Sequence, residues 1–120
     1  MLFRFLIIVI FYSSYSFSQW FWQNPSPQAN TLISIFFTNS DTGYIAGMGG
    51  TILKTTDNGD SWNNLIVPDE RFYCIYFVNN NSGYATGLSG AIYKTTDAGI
   101  TWIDKSVSDS IHIFSVYFTD

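Results

Sequence analysis

Charge is scarce in this chain. Charged residues make up only 12% of its 120 positions, and acidic residues outnumber basic ones 9 to 5. Phosphate contact needs clustered Lys and Arg, so the net charge of −4 argues against nucleic acid as a partner. It argues equally against an anionic membrane surface. Cysteine is nearly missing. Cys74 stands alone, so no intrachain disulfide forms. It falls in an expected strand, Phe72 to Val78, and reads there as a small buried hydrophobe. Histidine is as rare. His112 lies in an apolar stretch with no Cys or second His to share a metal, and reads as a strand histidine making one hydrogen bond. No serine–histidine pairing is recognisable, and no Gly-rich stretch precedes a helix to cradle phosphate. No cofactor is expected. Long apolar runs are lacking too, since the one from Phe5 to Tyr12 falls short of the roughly 20 residues of a membrane span.

Aromatic residues, by contrast, are plentiful at 19%. Aromatics and glycines with few charges suit an all-β chain of short strands and tight turns. The first residues follow a different plan. Met1 to Arg4 carries a positive charge, Phe5 to Tyr12 is apolar, and Ser13 to Ser18 is small and polar with aromatics mixed in. That is the layout of a secretory signal peptide over 1–18, with cleavage before Gln19. An uncleaved anchor is the alternative. The expected location is secreted, periplasmic or cell-surface, with no membrane span after removal of the leader.

An internal repeat dominates the remainder. Thr55-Thr56-Asp57-Asn58-Gly59-Asp60-Ser61-Trp62 returns as Thr95-Thr96-Asp97-Ala98-Gly99-Ile100-Thr101-Trp102. The wider windows Ile35 to Trp62 and Ile75 to Trp102 are identical at half of their positions without a gap. Shared pairs include Tyr44/Tyr84, Gly47/Gly87, Lys54/Lys94 and Trp62/Trp102. Each copy parses into four strands: Leu32 to Thr38, one opening at Gly43-Tyr44, Thr51 to Thr56, and one opening at Ser61. The second copy repeats them at Phe72 to Val78, Gly83-Tyr84, Ala91 to Thr96 and Thr101. Alternation sets Ile35 and Phe37, and likewise Ile75 and Phe77, on one face. Links of hairpin length predict antiparallel meanders. In the last turn Asp accepts backbone N–H bonds, Gly takes a positive φ, the hydroxyl residue re-enters a strand, and Trp supplies apolar surface.

One such meander cannot bury two apolar faces, but stacked meanders can. Four-stranded units every 40 or so residues predict a β-propeller. The expected fold is therefore all-β, a partial propeller over 19–120 with blades at about 32–66 and 72–106. Trp22 lies one period before Trp62, which makes Gln19 to Asn24 a lone fourth strand able to close the last blade. Val116 to Asp120 resembles Ile75 to Asn79 at a spacing of 41, as the first strand of a third repeat. Closed propellers have about four to eight blades. The sequence thus reads as the front end of a longer protein, whose open faces predict self-association of the fragment.

The Thr-x-Asp-x-Gly-x-Ser/Thr-Trp copies resemble the Asp-box, or bacterial neuraminidase repeat. Its residues here are Thr55, Asp57, Gly59, Ser61 and Trp62, then Thr95, Asp97, Gly99, Thr101 and Trp102. With Gly43-Tyr44, Gly47 and Gly50 to Asp57 added, the pattern is most similar to propellers related to the photosystem II assembly/stability factor, abundant also as secreted bacterial proteins. That resemblance implies a binding and assembly scaffold for a protein partner, not an enzyme. Two alternatives stay open: a glycan-binding or sialidase-like propeller, and a structural module of a large cell-surface protein.

A sialidase site would need an arginine cluster to hold a carboxylate. Beyond the leader the chain has only Arg71, beside Asp69 and Glu70. Asp57-Asn58-Gly59-Asp60 invites calcium, which takes about six to eight oxygens. The second copy replaces two of those positions with Ala98 and Ile100, so a turn is the better reading. Tyr44, Tyr84, Trp62 and Trp102 read as inter-blade packing before they read as a carbohydrate stripe. Partner contact is assigned to the variable loops Asn39 to Thr42, Asn79 to Ser82 and Val67 to Arg71. Asp41, Asn80, Asp69 and Arg71 are the candidate residues.

Overall fold

A computed structural model describes residues 30–65, 67, 70–107 and 110–119. The leader over 1–18, the expected closing strand Gln19 to Asn24 and the candidate Asp69 lie outside the described residues. Within them stand two four-stranded antiparallel meanders, each paired in chain order. The first holds β1 (Leu32–Phe37), β2 (Gly43–Gly47), β3 (Ile52–Thr55) and β4 (Asn63–Leu65). The second holds β5 (Phe72–Phe77), β6 (Gly83–Gly87), β7 (Ile92–Thr95) and β8 (Ile103–Asp104).

The registers repeat as the sequence does. Phe36 pairs with Tyr44, which pairs with Lys54; Tyr76 pairs with Tyr84, which pairs with Lys94. Both blades carry a register shift at the same place, between Leu32 and Ser34 and between Phe72 and Cys74. The β2–β3 turn keeps the same backbone in both blades: Gly49 and Gly50 take positive φ in the first, and Ser89 at 54° and Gly90 at 72° do so in the second, within a 3-10 turn over Leu88–Gly90.

The last strand of each blade begins two residues later than expected, at Asn63 and Ile103. Ser61 and Thr101 do not re-enter a strand, because their N–H and hydroxyl groups are held by the Asp57 and Asp97 carboxylates.

The core lies between the blades. Tyr44, Ala46 and Ile52 of the first meet Phe72, Ile75, Phe77, Ala85, Ala91 and Tyr93 of the second, with Phe36, Leu65, Val67 and Trp102 packed around them. Phe77 stacks on Tyr44 at 4.0 Å and 20°, and Trp102 meets Phe77 edge-on at 6.3 Å. Ile75 donates its N–H to Ser34 Oγ across the interface. Repeat mates therefore differ in burial. Ile75 and Phe77 are 2% and 3% exposed, while Ile35 and Phe37 are 58% and 40% exposed. The first blade covers the former pair, and the described residues set no equivalent blade over the latter.

Residues 110–119 join no sheet among the described residues, yet they dock on the second blade as β5 docks on the first. Phe118 stacks on Tyr84, Tyr117 meets Tyr76, and Gly90 N–H donates to the Ile111 carbonyl as Gly50 N–H donates to that of Glu70. The 41-residue spacing thus reproduces a blade-to-blade contact. Cys74 is half-buried rather than enclosed, since it faces this segment, with Sγ 4.0 Å from the Val116 carbonyl. His112 makes its one hydrogen bond outside any strand, as its Nδ1 accepts from Ser89 N–H at 3.3 Å.

Candidate functional site

Each repeat is locked by the same turn. Thr55 Oγ1 donates to Asp57 Oδ1 at 2.7 Å and accepts the Gly59 N–H at 2.9 Å. Asp57 Oδ1 also accepts the Ser61 N–H at 2.8 Å, and Oδ2 accepts the Ser61 hydroxyl at 2.5 Å. Thr95, Asp97, Gly99 and Thr101 form the same set, at 2.9, 2.9, 2.8 and 2.6 Å. Thr55 and Thr95 are fully buried, and Gly59 and Gly99 take φ of 91° and 82°. The residue before each glycine is also left-handed, Asn58 at 59° and Ala98 at 57°. Alanine there costs about 1–2 kcal/mol relative to a right-handed conformation. Both carboxylate oxygens of each Asp are engaged within the turn. Among the described residues no group of three or more His, Cys, Asp or Glu could hold a metal.

Hydrogen bonds to the ionised form hold both carboxyls below their ordinary value. For Asp57 the Ser61 hydroxyl is the largest cause, ahead of the Ser61 N–H and the Thr55 hydroxyl, and brings it from 3.8 to about 2. Asp97 is lowered chiefly by the Thr101 hydroxyl. The unfolded chain takes up the proton at the higher pH. The stability these bonds add is therefore complete above pH 3.8 and is lost as pH falls toward about 2. Circular dichroism during acid titration is expected to show unfolding that begins below pH 3.8. An Asp57→Asn variant should lose part of that dependence; an unchanged acid profile would contradict this role.

A second contact ties the turns to the neighbouring blade. Tyr44 Oη donates to the Ala98 carbonyl at 3.0 Å, and Lys54 Nζ donates to the same oxygen at 2.9 Å. The Lys54 ammonium also lies 5.5 Å from the centre of the Tyr44 ring. Burial pushes the Tyr44 hydroxyl pKa up, which keeps it a donor. Lys94 sits over Tyr84 at the same 5.5 Å. Sequence reading registered these Tyr and Lys pairs as repeats but assigned Lys no role. The available signal was their cross-strand register, which sets both side chains on one face.

The aromatic residues weighed as a carbohydrate stripe are committed to packing. Tyr44 stacks on Phe77, Tyr84 on Phe118 at 4.6 Å, Trp62 lies edge-on to Phe37, and Trp102 edge-on to Phe77.

The candidate loops fall at opposite ends of the strands. Asp41 and Asn80 sit at the end that holds the Asp turns, where the Asp41 carbonyl accepts Asn58 N–H and the Asn81 carbonyl accepts Ala98 N–H. These loops are closed on themselves. Asn39 Oδ1 accepts the N–H groups of Asp41 and Thr42, and Asn79 Oδ1 accepts those of Asn81 and Ser82. Arg71 is exposed at the other end, about one strand length or ~20 Å away. There its carbonyl accepts Leu88 N–H, and Glu70, Gly50, Ser89 and His112 surround the same end.

Comparison with known proteins agrees with this architecture. A solved structure of YCF48 bound to D1 peptide is similar at a TM-score of 0.62 and 27% identity, over 68% of this chain and 28% of that one. YCF48 from Cyanidioschyzon merolae is similar at 0.62 and 27%, over 70% of this chain and 26% of that one. The chain thus spans 28% and 26% of the two structures' lengths, and its fold is a partial β-propeller. No curated protein matches it. The family model of the photosynthesis system II assembly factor YCF48 matches residues 12–111, and the chain belongs to that family.

Proposed function

We propose that this chain is part of an exported, non-catalytic propeller that binds an extended segment of a protein partner and holds it during assembly of a larger complex. The observation that carries this reading is the family match over 12–111, together with a relative of the same fold bound to a peptide. The engaged Asp carboxylates and the packed Tyr and Trp side chains also favour binding over chemistry and leave the glycan reading without support. Export rests on the leader over 1–18, whose removal would make Gln19 the first residue of the mature protein. Among the described residues no helix is long and apolar enough to cross a membrane.

Partner contact is assigned to the strand end that carries Val67 and Arg71. At the opposite end, backbone groups near Asp41 and Asn80 already bond to Asn39 and Asn79. Arg71 instead offers a guanidinium to solvent, which suits carboxylate or backbone carbonyl groups of a bound segment. Titration of the full chain with a synthetic D1 peptide as probe, followed by calorimetry, tests the reading. Saturable binding is expected, weakened about tenfold by Arg71→Ala and unchanged by Asn80→Ala. Absence of saturable binding would remove the peptide reading. Loss with Asn80→Ala alone would move the surface to the other end.

A further inference from the structure

The two Asp turns share their bonds but not their covalent chemistry. The first holds Asn58 directly before Gly59, whereas the second holds Ala98 before Gly99. Asparagine before glycine is the pairing most prone to deamidation, because a following residue without Cβ leaves its nitrogen free to approach the carboxamide. Asn58 is the only asparagine in the chain that precedes a glycine. The reaction runs in two stages. A base takes the proton from the glycine nitrogen, that nitrogen attacks the asparagine Cγ, and ammonia leaves. Water then opens the cyclic imide at either carbonyl, giving Asp or iso-Asp. In iso-Asp the main chain runs through Cβ and is longer by a methylene.

The folded turn withholds the first proton. Gly59 is buried, and its N–H donates to Thr55 Oγ1 at 2.9 Å. Thr55 is fully buried and gives its own hydroxyl proton to Asp57 Oδ1, which leaves a lone pair turned to Gly59. The Trp62 ring covers the same glycine, 3.6 Å from where a Cβ would stand. On the other side the Asn58 N–H is held by the Asp41 carbonyl at 2.9 Å, with φ fixed at 59°. Ring closure consumes the Gly59 proton, so it cannot begin while that proton rests on Thr55.

We propose that Asn58 is a latent deamidation site, held closed by the Thr55–Gly59 bond and converted when the turn opens. The change does not reverse. A methylene added after position 58 falls inside the span over which Asp57 holds the Ser61 N–H and hydroxyl, so the turn cannot close again in its original register. The second turn has the same bonds and no amide, so the mark is confined to the first blade. The inference rests on bonds within one turn and is independent of the peptide-binding reading.

Incubation of the full chain at mildly alkaline pH, with peptide mapping of Asp and iso-Asp at position 58, tests the site. Conversion is expected to be at least about tenfold slower in the folded chain than in urea, since only the open fraction reacts. Thr55→Val removes the acceptor and is expected to speed conversion severalfold, whereas Thr55→Ser keeps the hydroxyl and the slow rate. Thr95→Val makes the same change in the second turn and is expected to leave Asn58 slow. Ala98→Asn places an Asn-Gly pair in the second turn, where the same protection is expected. Should circular dichroism show Thr55→Val unfolded, deuterium exchange at the Gly59 N–H of the unaltered chain takes its place, and is expected to rise in step with conversion as urea is added. Equal rates in the folded chain and in urea would overturn the proposal. So would a folded Thr55→Val chain no faster than Thr55→Ser, a Thr95→Val chain as fast as Thr55→Val, or conversion that outpaces Gly59 exchange.

Discussion

Phe77→Ala is expected to destabilise the chain by about 3–5 kcal/mol, the range for removing a buried aromatic side chain. Phe77 is the centre of the inter-blade contact, stacked on Tyr44 and flanked by Phe36 and Trp102. Its loss leaves Tyr44 facing a void, and the Tyr44 bond to the Ala98 carbonyl spans that same gap. Native domains hold only about 5–15 kcal/mol in total, so one truncation takes a large fraction. The blades are also expected to unfold separately afterwards, as two transitions in a denaturant series in place of one. Phe37→Ala is the control. It removes the same side chain from the same register, but Phe37 is 40% exposed and no blade among the described residues covers it. Its cost is expected to be well under half as large. Equal costs at the two positions would contradict the arrangement of the core.

Gly87→Ala is expected to abolish folding, at more than about 4 kcal/mol, the extreme of what single substitutions do. The reason is not a turn. Gly87 has no positive φ. It lies where β6 ends beneath the start of β5, and a methyl group there would overlap the Arg71 carbonyl oxygen and stand 2.8 Å from its carbonyl carbon. Those atoms are backbone and cannot rotate aside. Relief needs β5 to move, which breaks the Leu88 N–H bond to Arg71 and the Phe72 pairing with Gly87. Expression as soluble protein and circular dichroism check this. A folded Gly87→Ala chain would show that the crossing can open.

Much of this was legible in the residues. The repeat places eight strands in order, and the Thr-Asp-Gly turn follows from the hydrogen-bonding chemistry of its side chains. What stayed hidden depends on neighbours rather than on local pattern. Ile35 and Ile75 are identical residues in identical register, yet only one is buried, because burial belongs to the contact and not to the repeat. Gly47 and Gly87 repeat in the sequence as Gly59 and Gly99 do, although they serve close backbone approach and not turning. Lys54 was visible only as one of the repeated pairs. Its bond to a carbonyl 44 residues away has no trace in local periodicity. The candidate loops read as one group along the chain, but successive hairpins reverse direction and send alternate loops to opposite ends.

The clamp onto Ala98 bears on how such a chain can change over time. Tyr44 and Lys54 grip a main-chain oxygen, which every amino acid possesses. The side chain at that place is therefore under no obligation to its neighbour, and the two copies differ there, Asn58 against Ala98, as they do at Asp60 against Ile100. A duplicated unit inherits a working joint at once, before any residue at its tip has diverged. Its tip can then drift in sequence while the joint keeps its grip. A fold joined this way can lengthen by copying and diversify at its tips, with the two processes independent of each other.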